Sequence, residues 1–275
     1  MRMLRIVLYC LLGGLSLAIL ALGNGEFGWC WLAGIVLSAA FVPVALLGPR
    51  RALYQFGVVV PVLLIVTVLC LWSEALIFVQ APEIQQHAVR NLVGASVTYV
   101  IVAIVLAALA VMLKLPRVDG SKVELRSAEK VALLVVVCGI AYVLYYLVFG
   151  AITYRFFTKG YYPDAPQQVA RLGVWFWVIQ IGRGVLMTLA VLPVISTLRM
   201  SRVQAALAVG LLIWVAGGAA PLLLPNALMG PTQRFIHTIE ILTQNVSLGI
   251  TAVLLLRGKQ ARSGADLPVA APARV

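Results

Sequence analysis

Charged residues are scarce in this sequence: Asp, Glu, Lys and Arg together make up 11% of its 275 residues. An ordinary soluble domain carries about 25%. Hydrophobic residues account for 63%, and they gather in separate runs of roughly 20 residues, the length that a helix needs to cross the core of a bilayer. Since no water-soluble core could bury so many runs, the composition excludes a soluble domain and predicts an all-α, polytopic membrane protein.

Acidic residues are scarcer than basic ones, with nine Asp and Glu against 21 Lys and Arg and a formal net charge of +12. Such a balance is also typical of proteins that bind nucleic acid. Here the basic residues are spread over short segments between apolar runs, and no soluble module combines them with aromatic residues. The sequence therefore predicts that the protein binds no nucleic acid.

Several sequence motifs of enzymes and metal sites are absent. The sequence contains no G-x-S-x-G, no H-E-x-x-H and no glycine loop for phosphate, which argues against standard hydrolases, proteases and nucleotide-dependent enzymes. His237 and Glu240, three residues apart, offer two metal ligands, but only Glu74 is available as the third that a catalytic zinc site needs. We therefore expect no metal site and no cofactor.

Cysteine is also rare. The four cysteines lie in different apolar runs, without C-x-x-C spacing, which predicts small buried side chains and no structural disulfide. They are Cys10, Cys30, Cys70 and Cys138.

The apolar runs predict about eight transmembrane helices. They cover residues 4–23, 29–48, 57–79, 92–113, 131–150, 174–197, 204–224 and 235–256. With a cytoplasmic N-terminus, 15 basic residues fall in cytoplasmic segments and 5 in outer ones, and this bias places both the N- and C-termini in the cytoplasm. We expect the bundle to occupy residues 1–256 of an integral protein of the bacterial inner (plasma) membrane, followed by a disordered cytoplasmic tail at 257–275, where Ala, Pro and Arg are frequent.

The first run has a second interpretation. Arg2 and Arg5 precede it, and Ala21-Leu22-Gly23 resembles a signal-peptide cleavage site. The run is about 17 residues long, whereas the apolar core of a signal peptide usually has 7–15. We therefore expect an uncleaved anchor; the alternative, cleavage, would leave seven spans.

Two loops are long enough to carry structure. In the cytoplasmic loop 114–130, Ser121 and Glu124 form a capping-box pattern that predicts a helix start near Lys122. The outer loop 151–173 concentrates five aromatic residues between 154 and 162, with two basic residues among them. This pattern is typical of an anchor in the headgroup layer, and the alternative is a lid over an outer pocket. A second cap pattern predicts a helix start near Ala165.

A faint repeat relates the second and sixth runs. Trp29-Cys30-Trp31 and Trp175-Phe176-Trp177 open them, and Pro43-Val44 and Pro193-Val194 lie near their inner ends. A parallel duplication of four spans would relate these two runs. The spacing between the two motifs differs by one helical turn.

Polar residues form a stripe on the last apolar run. At 100° per residue the five members fall within an arc of about 80°. They are His237, Glu240, Gln244, Ser247 and Thr251. Such a stripe is costly in hydrocarbon, so it must face other helices or water.

Ionisable residues in three different runs lie at similar depth, in the outer half of the membrane. They are Glu74, Arg183 and the pair His237 and Glu240. An unpaired guanidinium is expensive there and cannot lose its proton, so we expect Arg183 within about 4 Å of Glu240 or Glu74. Gln180 lies three residues before Arg183 and shares its helix face.

The predicted site is a polar pocket open to the outer side, formed by Glu74, Gln180, Arg183, His237, Glu240 and Gln244. Besides the lipid bilayer, three occupants fit it: a small solute, a lipid, or the helix of a membrane-protein partner. They correspond to a carrier or ligand-binding protein, which we favour, to an intramembrane enzyme that acts on a lipid-linked substrate, and to a structural or assembly subunit. In the enzyme, Glu240 or His237 would be the general acid or base.

Overall fold

A computed structural model of the chain describes residues 2–20, 26–48, 51–78, 82–115, 123–224 and 229–258. These residues contain eight helices that are long and apolar enough to cross a membrane, which confirms the predicted all-α, polytopic fold. We call them spans 1 to 8. Span 1 is Arg2–Leu20, span 2 is Phe27–Leu47, span 4 is Pro82–Met112, span 6 is Val174–Thr197 and span 8 is Pro231–Leu256. The other three consist of consecutive helical segments: span 3 of Ala52–Pro61, Val62–Cys70 and Leu71–Phe78, span 5 of Ala128–Thr153 and Tyr154–Thr158, and span 7 of Arg202–Trp214, Val215–Ala219 and Ala220–Leu223.

Span 4 differs most from its predicted bounds, since it begins at Pro82 rather than near residue 92. The ten added residues are mostly polar. They lay outside the predicted span because its bounds were drawn by hydropathy. A helix can continue beyond the hydrocarbon, and proline is well suited to its first position. The short helix Ala165–Leu172 begins where the cap pattern predicted, but Gly173 separates it from span 6.

Span 5 begins at Ala128, with Ser127 at the N-cap, so the predicted start near Lys122 was wrong. Leu125 instead forms an isolated antiparallel bridge with Arg257, and the Gly258 N–H donates to the Glu124 carbonyl at 2.8 Å. These residues are extended, because pairing with the end of span 8 satisfies their backbone groups better than a free helical turn would.

Arg257 lies inside the bundle, although the sequence placed it in the disordered tail. Its guanidinium is buried and donates to the carbonyls of Ile195, Leu198 and Met200 at 2.7–3.2 Å. The last carbonyls of a helix have no partner of their own, so this side chain caps span 6 from span 8. The ordered structure therefore continues to Gly258, and residues 259–275 lie outside the described part.

The two ends of the bundle differ in composition. At one end Arg5 donates to the Lys114 carbonyl at 2.9 Å, and Arg126 donates to the Leu255 carbonyl at 2.7 Å, close to the Arg257 contacts. We call this the basic end. The opposite end carries loop 151–173, and we call it the aromatic end. The prediction that the basic end faces the cytoplasm rests on the positive-inside rule.

The neighbour relations of spans 1–4 recur in spans 5–8. Spans 1 and 2 pack as a pair, and so do spans 3 and 4, 5 and 6, and 7 and 8. Span 1 also packs on span 4, and span 5 packs on span 8 in the same way. Span 2 packs on span 7, and span 6 packs on span 3 in the same way. Spans 3 and 7 meet each other through their π-helical segments, Val62–Cys70 and Val215–Ala219. A four-plus-four duplication would give this pattern of neighbours.

Spans 2 and 6 align with a constant offset of 150 residues. Gly34, Ser38 and Pro43 in span 2 correspond to Gly184, Thr188 and Pro193 in span 6, each 150 residues later. Both hydroxyls bond back to the glycine carbonyl four residues earlier, at 2.7 and 2.8 Å. The tryptophan motifs lie one turn out of this register, which explains the unequal spacing.

Candidate functional site

An ion pair between spans 3 and 6 forms the centre of the predicted site. Arg183 Nη2 lies 2.7 Å from Glu74 Oε2, which confirms the predicted pairing of Arg183 with one of the two acids. Arg183 Nη1 donates to Gln180 Oε1 at 2.9 Å. Both Arg183 and Gln180 are buried, so the charge of the arginine is neutralised inside the protein.

The polar residues at the start of span 8 form a second group. His237 Nδ1 lies 3.2 Å from Glu240 Oε2, and the Gln244 amide donates to Glu240 Oε1 at 3.4 Å. Each of the three side chains is partly or fully buried. Further along the stripe, Thr251 lies 2.7 Å from the Tyr145 hydroxyl, so this face of span 8 is turned toward span 5, as the sequence required of a stripe that avoids lipid.

Two tyrosines of span 5 connect the groups. The Arg183 guanidinium carbon lies 5.8 Å from the centre of the Tyr142 ring, within the range of a cation–π contact. The Tyr146 ring packs edge-on against Phe176 of span 6, with ring centres 5.9 Å apart. Gln244 faces the same small cavity as Glu74 and Arg183 and donates to Glu240, so the six predicted residues belong to one polar cluster.

A small cavity lies at the centre of this cluster, and three predicted residues, Glu74, Arg183 and Gln244, line it. Gln180, His237 and Glu240 are in the cluster without lining the cavity. The space has room for about one water molecule. In this conformation spans 3, 5, 6, 7 and 8 close around the polar groups, and the opening of the pocket to the outer side stays a prediction.

Some polar atoms in the cluster keep unused hydrogen-bonding capacity. Within the described part of the chain, Gln180 Nε2 and Arg183 Nε have no hydrogen-bond partner. A buried donor without a partner costs about 1–3 kcal/mol. A cluster that tolerates this cost has donors ready for water or for a small polar ligand.

Asn245 and Cys70 also line the cavity, and the sequence analysis did not assign them to the site. The Asn245 amide donates to the Ile213 carbonyl at 3.3 Å, just before the π segment of span 7. Asn245 lies outside the 80° arc of the stripe, so the search along that arc missed it. Cys70 shares a helix face with Glu74, and this signal could have assigned it to the site. It was interpreted instead as an ordinary core residue.

Glycines bring the site-bearing helices close together. A Cβ at Gly184 would lie 2.9 Å from Gly139 Cα and 2.6 Å from Tyr142 Cβ, whereas a Cβ at Gly182 would meet nothing within 4 Å. Gly184 of span 6 and Gly139 of span 5, where a Cβ would lie 2.9 Å from the Ile181 carbonyl oxygen, thus allow the two spans to pack closely beside Arg183. Gly217, in the π segment of span 7, has the same role against Val66 of span 3.

Among the described residues, no group of three His, Cys, Asp or Glu side chains is arranged to hold a metal ion. Comparisons with protein-family models, with curated proteins and with solved structures gave no significant match. The interpretation of the cluster therefore rests on its own chemistry. It combines one permanent cation, two carboxylates, one histidine and spare donors around a water-sized space.

Proposed function

We propose that this multi-pass membrane protein is a carrier for a small solute, and that a proton bound at His237 and Glu240 drives its cycle. The observation that carries the proposal is the charge balance of the cluster. Arg183 neutralises Glu74 at 2.7 Å, and among the described residues the second carboxylate, Glu240, forms its one ion pair with a histidine. Histidine is charged only when protonated.

The His237–Glu240 pair has no net charge in two protonation states, and each of these states holds one extra proton. Either His237 is protonated and forms an ion pair with Glu240, or Glu240 itself holds the proton. Loss of that proton leaves a net negative charge in a cluster closed by apolar helices, which is costly. Among the described residues, the other charged groups that act electrostatically on His237 are Arg183 and Glu74, and the titratable side chains coupled to Glu240 include Tyr142, Tyr146 and Tyr162. Deprotonation therefore favours a conformation in which water or a cationic group reaches Glu240.

The π segments of spans 3 and 7 support the same proposal. They lie against each other beside the cavity and line it with Val66 and Gly217. π turns strain the helical hydrogen bonds and are frequent at functional sites. Two such segments at corresponding positions in the two halves provide places where spans 3 and 7 can bend.

A second function, a structural or assembly subunit, is favoured by one observation. The cavity has room for about one water molecule, which suits a cluster that locks helices together. Buried ion pairs can specify packing without taking part in a reaction. In that case the cluster has the same closed arrangement at every pH.

Cys70 provides the test, because its thiol lines the cavity. The other three cysteines are replaced by alanine, and the protein is reconstituted in liposomes. Modification of Cys70 by a membrane-impermeant thiol reagent is measured from each side between about pH 5 and 8, the range over which histidine titrates. Thiolate content rises with pH in any protein, so the Glu240→Gln variant supplies the baseline.

A carrier predicts that Cys70 is reached from each side and that the ratio of the two rates changes with pH. In Glu240→Gln the ratio is constant, because the titrating group is gone while its shape is kept. A second control keeps only Cys138, which is buried in span 5 away from the cavity. Identical profiles in the parent and in Glu240→Gln would reject the carrier and favour the structural subunit.

A further inference from the structure

Loop 151–173 lies at the aromatic end and contacts the spans that carry the polar cluster. Its first part, Tyr154–Thr158, continues span 5 and packs against span 8. Its helix, Ala165–Leu172, packs against Leu71–Phe78 of span 3 and against span 6. These three spans supply Glu74, Arg183 and the His237–Glu240 pair, so the loop joins the three walls of the site at one end.

Two adjacent tyrosines in this loop have different environments. Their N–H groups both donate to the Thr158 carbonyl, at 2.9 and 3.0 Å, so one turn holds both backbones. Tyr161 is 44% exposed, whereas Tyr162 is half-buried. The turn thus directs one ring outward and the other inward.

The inward ring belongs to the stretch between Tyr154–Thr158, which packs on span 8, and Ala165–Leu172, which packs on spans 3 and 6. Glu240 is in span 8 and Glu74 is in span 3, so the half-buried ring lies between segments that contact both of these spans. Burial and the carboxylates of Glu240 and Glu74 raise the pKa of the Tyr162 hydroxyl, which agrees with this position. Tyr162 therefore occupies the entrance to the cluster from the aromatic end.

Glycines bound the part of the loop that carries Tyr162. Gly173 has φ +54°, a left-handed conformation that suits glycine, and it separates the short helix from span 6. A Cβ at Gly160 would meet nothing within 4 Å, so there is open space beside that residue. The segment between them has a flexible residue at each end.

We infer that segment 160–173 is a lid over the aromatic-end entrance to the polar cluster, and that the Tyr162 ring is the side chain that closes it. The inference deepens the proposed carrier, because alternating access requires a barrier on each side of the site. The basic end has its own closure, in which Arg257 joins spans 6 and 8 at the carbonyls of Ile195 and Leu198.

The test compares Tyr162→Ala with Tyr161→Ala, in the background that keeps Cys70 as the single cysteine. Both variants remove a tyrosine ring from the same turn, but only the first removes the half-buried one. An impermeant thiol reagent is applied from the aromatic side at one fixed pH. We expect modification of Cys70 to be about tenfold faster in Tyr162→Ala. Removing a partly buried aromatic ring shifts the equilibrium between the closed and open lid by about that factor. Tyr161→Ala should match the parent.

Equal rates in the two variants would overturn the lid. If Tyr162→Ala does not fold, single cysteines placed at 161 and 162 in a cysteine-free protein give a second measurement. The lid predicts that Tyr161→Cys reacts about tenfold faster than Tyr162→Cys, and equal reactivity would contradict it.

The outcomes for the lid and for the carrier are separable. A Tyr162 effect with no pH dependence of the ratio between the two sides would keep the lid and reject the proton-driven carrier. A pH-dependent ratio with no difference between the two tyrosine variants would do the reverse.

Discussion

Arg183 has Glu74 rather than Glu240 as its partner, although both acids belong to the same cluster. The sequence predicted the arginine, both acids and the need for a pair, because the cost of an unpaired guanidinium in a membrane depends on the residue alone. It did not decide between the acids, because that depends on which spans are neighbours. Asn245 was missed for a related reason: its role depends on span 7, against which its side chain packs.

The ion pair leads to a prediction about stability. Arg183→Ala leaves Glu74 buried without a cation, and we expect the protein to lose about 3–5 kcal/mol. The double variant Glu74→Gln with Arg183→Gln should recover most of this loss, because both charges are removed together. Thermal unfolding in detergent micelles measures the differences.

A matched control for this prediction is Arg171→Ala, which removes an exposed arginine from the short helix of the lid. Its effect should be within about 0.5 kcal/mol of the parent. If Arg183→Ala is as stable as Arg171→Ala, Glu74 is not confined by the pair and the geometry of the cluster is wrong.

Helices were predicted more reliably than the features within and between them. Eight apolar runs gave eight spans, since length and hydropathy determine which segments enter a bilayer. The π segments of spans 3 and 7 carry no hydropathy signal, and they were not predicted. The helix start near Lys122 failed because the bridge between Leu125 and Arg257 joins residues that are distant in sequence.

Close packing at Gly184 leads to a prediction at the scale of the helix pair. Gly184→Ala places a methyl group against Gly139 Cα and Tyr142 Cβ, and we expect a loss of about 1–3 kcal/mol from overpacking. Gly182→Ala has open space and should be neutral or stabilising by up to about 1 kcal/mol, since alanine favours helix. Unfolding midpoints of the two variants test this contrast, and a Gly182→Ala variant as unstable as Gly184→Ala would contradict the packing of spans 5 and 6.

The whole molecule has two similar halves but one polar cluster. By the spacing of 150 residues, the counterpart of Arg183 is Ala33, and the counterpart of Glu74 is Leu224. The cluster draws Glu74 from the first half and its other charged residues from the second. The two halves are therefore alike in how their spans pack, whereas the site arises from residues that differ between the halves.

The orientation of the bundle is a prediction that one labelling experiment can check. Single cysteines are placed at Lys159, in the loop of the aromatic end, and at Lys122. With the basic end in the cytoplasm, an impermeant thiol reagent added to intact cells should modify the cysteine at 159 and not the one at 122. The reverse pattern would invert the bundle, and the entrance under the lid would then open to the cytoplasm.

Opening and closing of the polar cluster with protonation of the His237–Glu240 pair can be seen in high-resolution maps at two pH values. The protein is imaged in lipid nanodiscs near pH 5 and pH 8, on either side of histidine titration. At the lower pH we expect a closed cluster with the Glu74–Arg183 pair intact. At the higher pH we expect a wider cavity with ordered water or solute beside Glu240. The same closed cluster in both maps, or a cavity filled by the helix of another protein, would reject the proton-driven carrier.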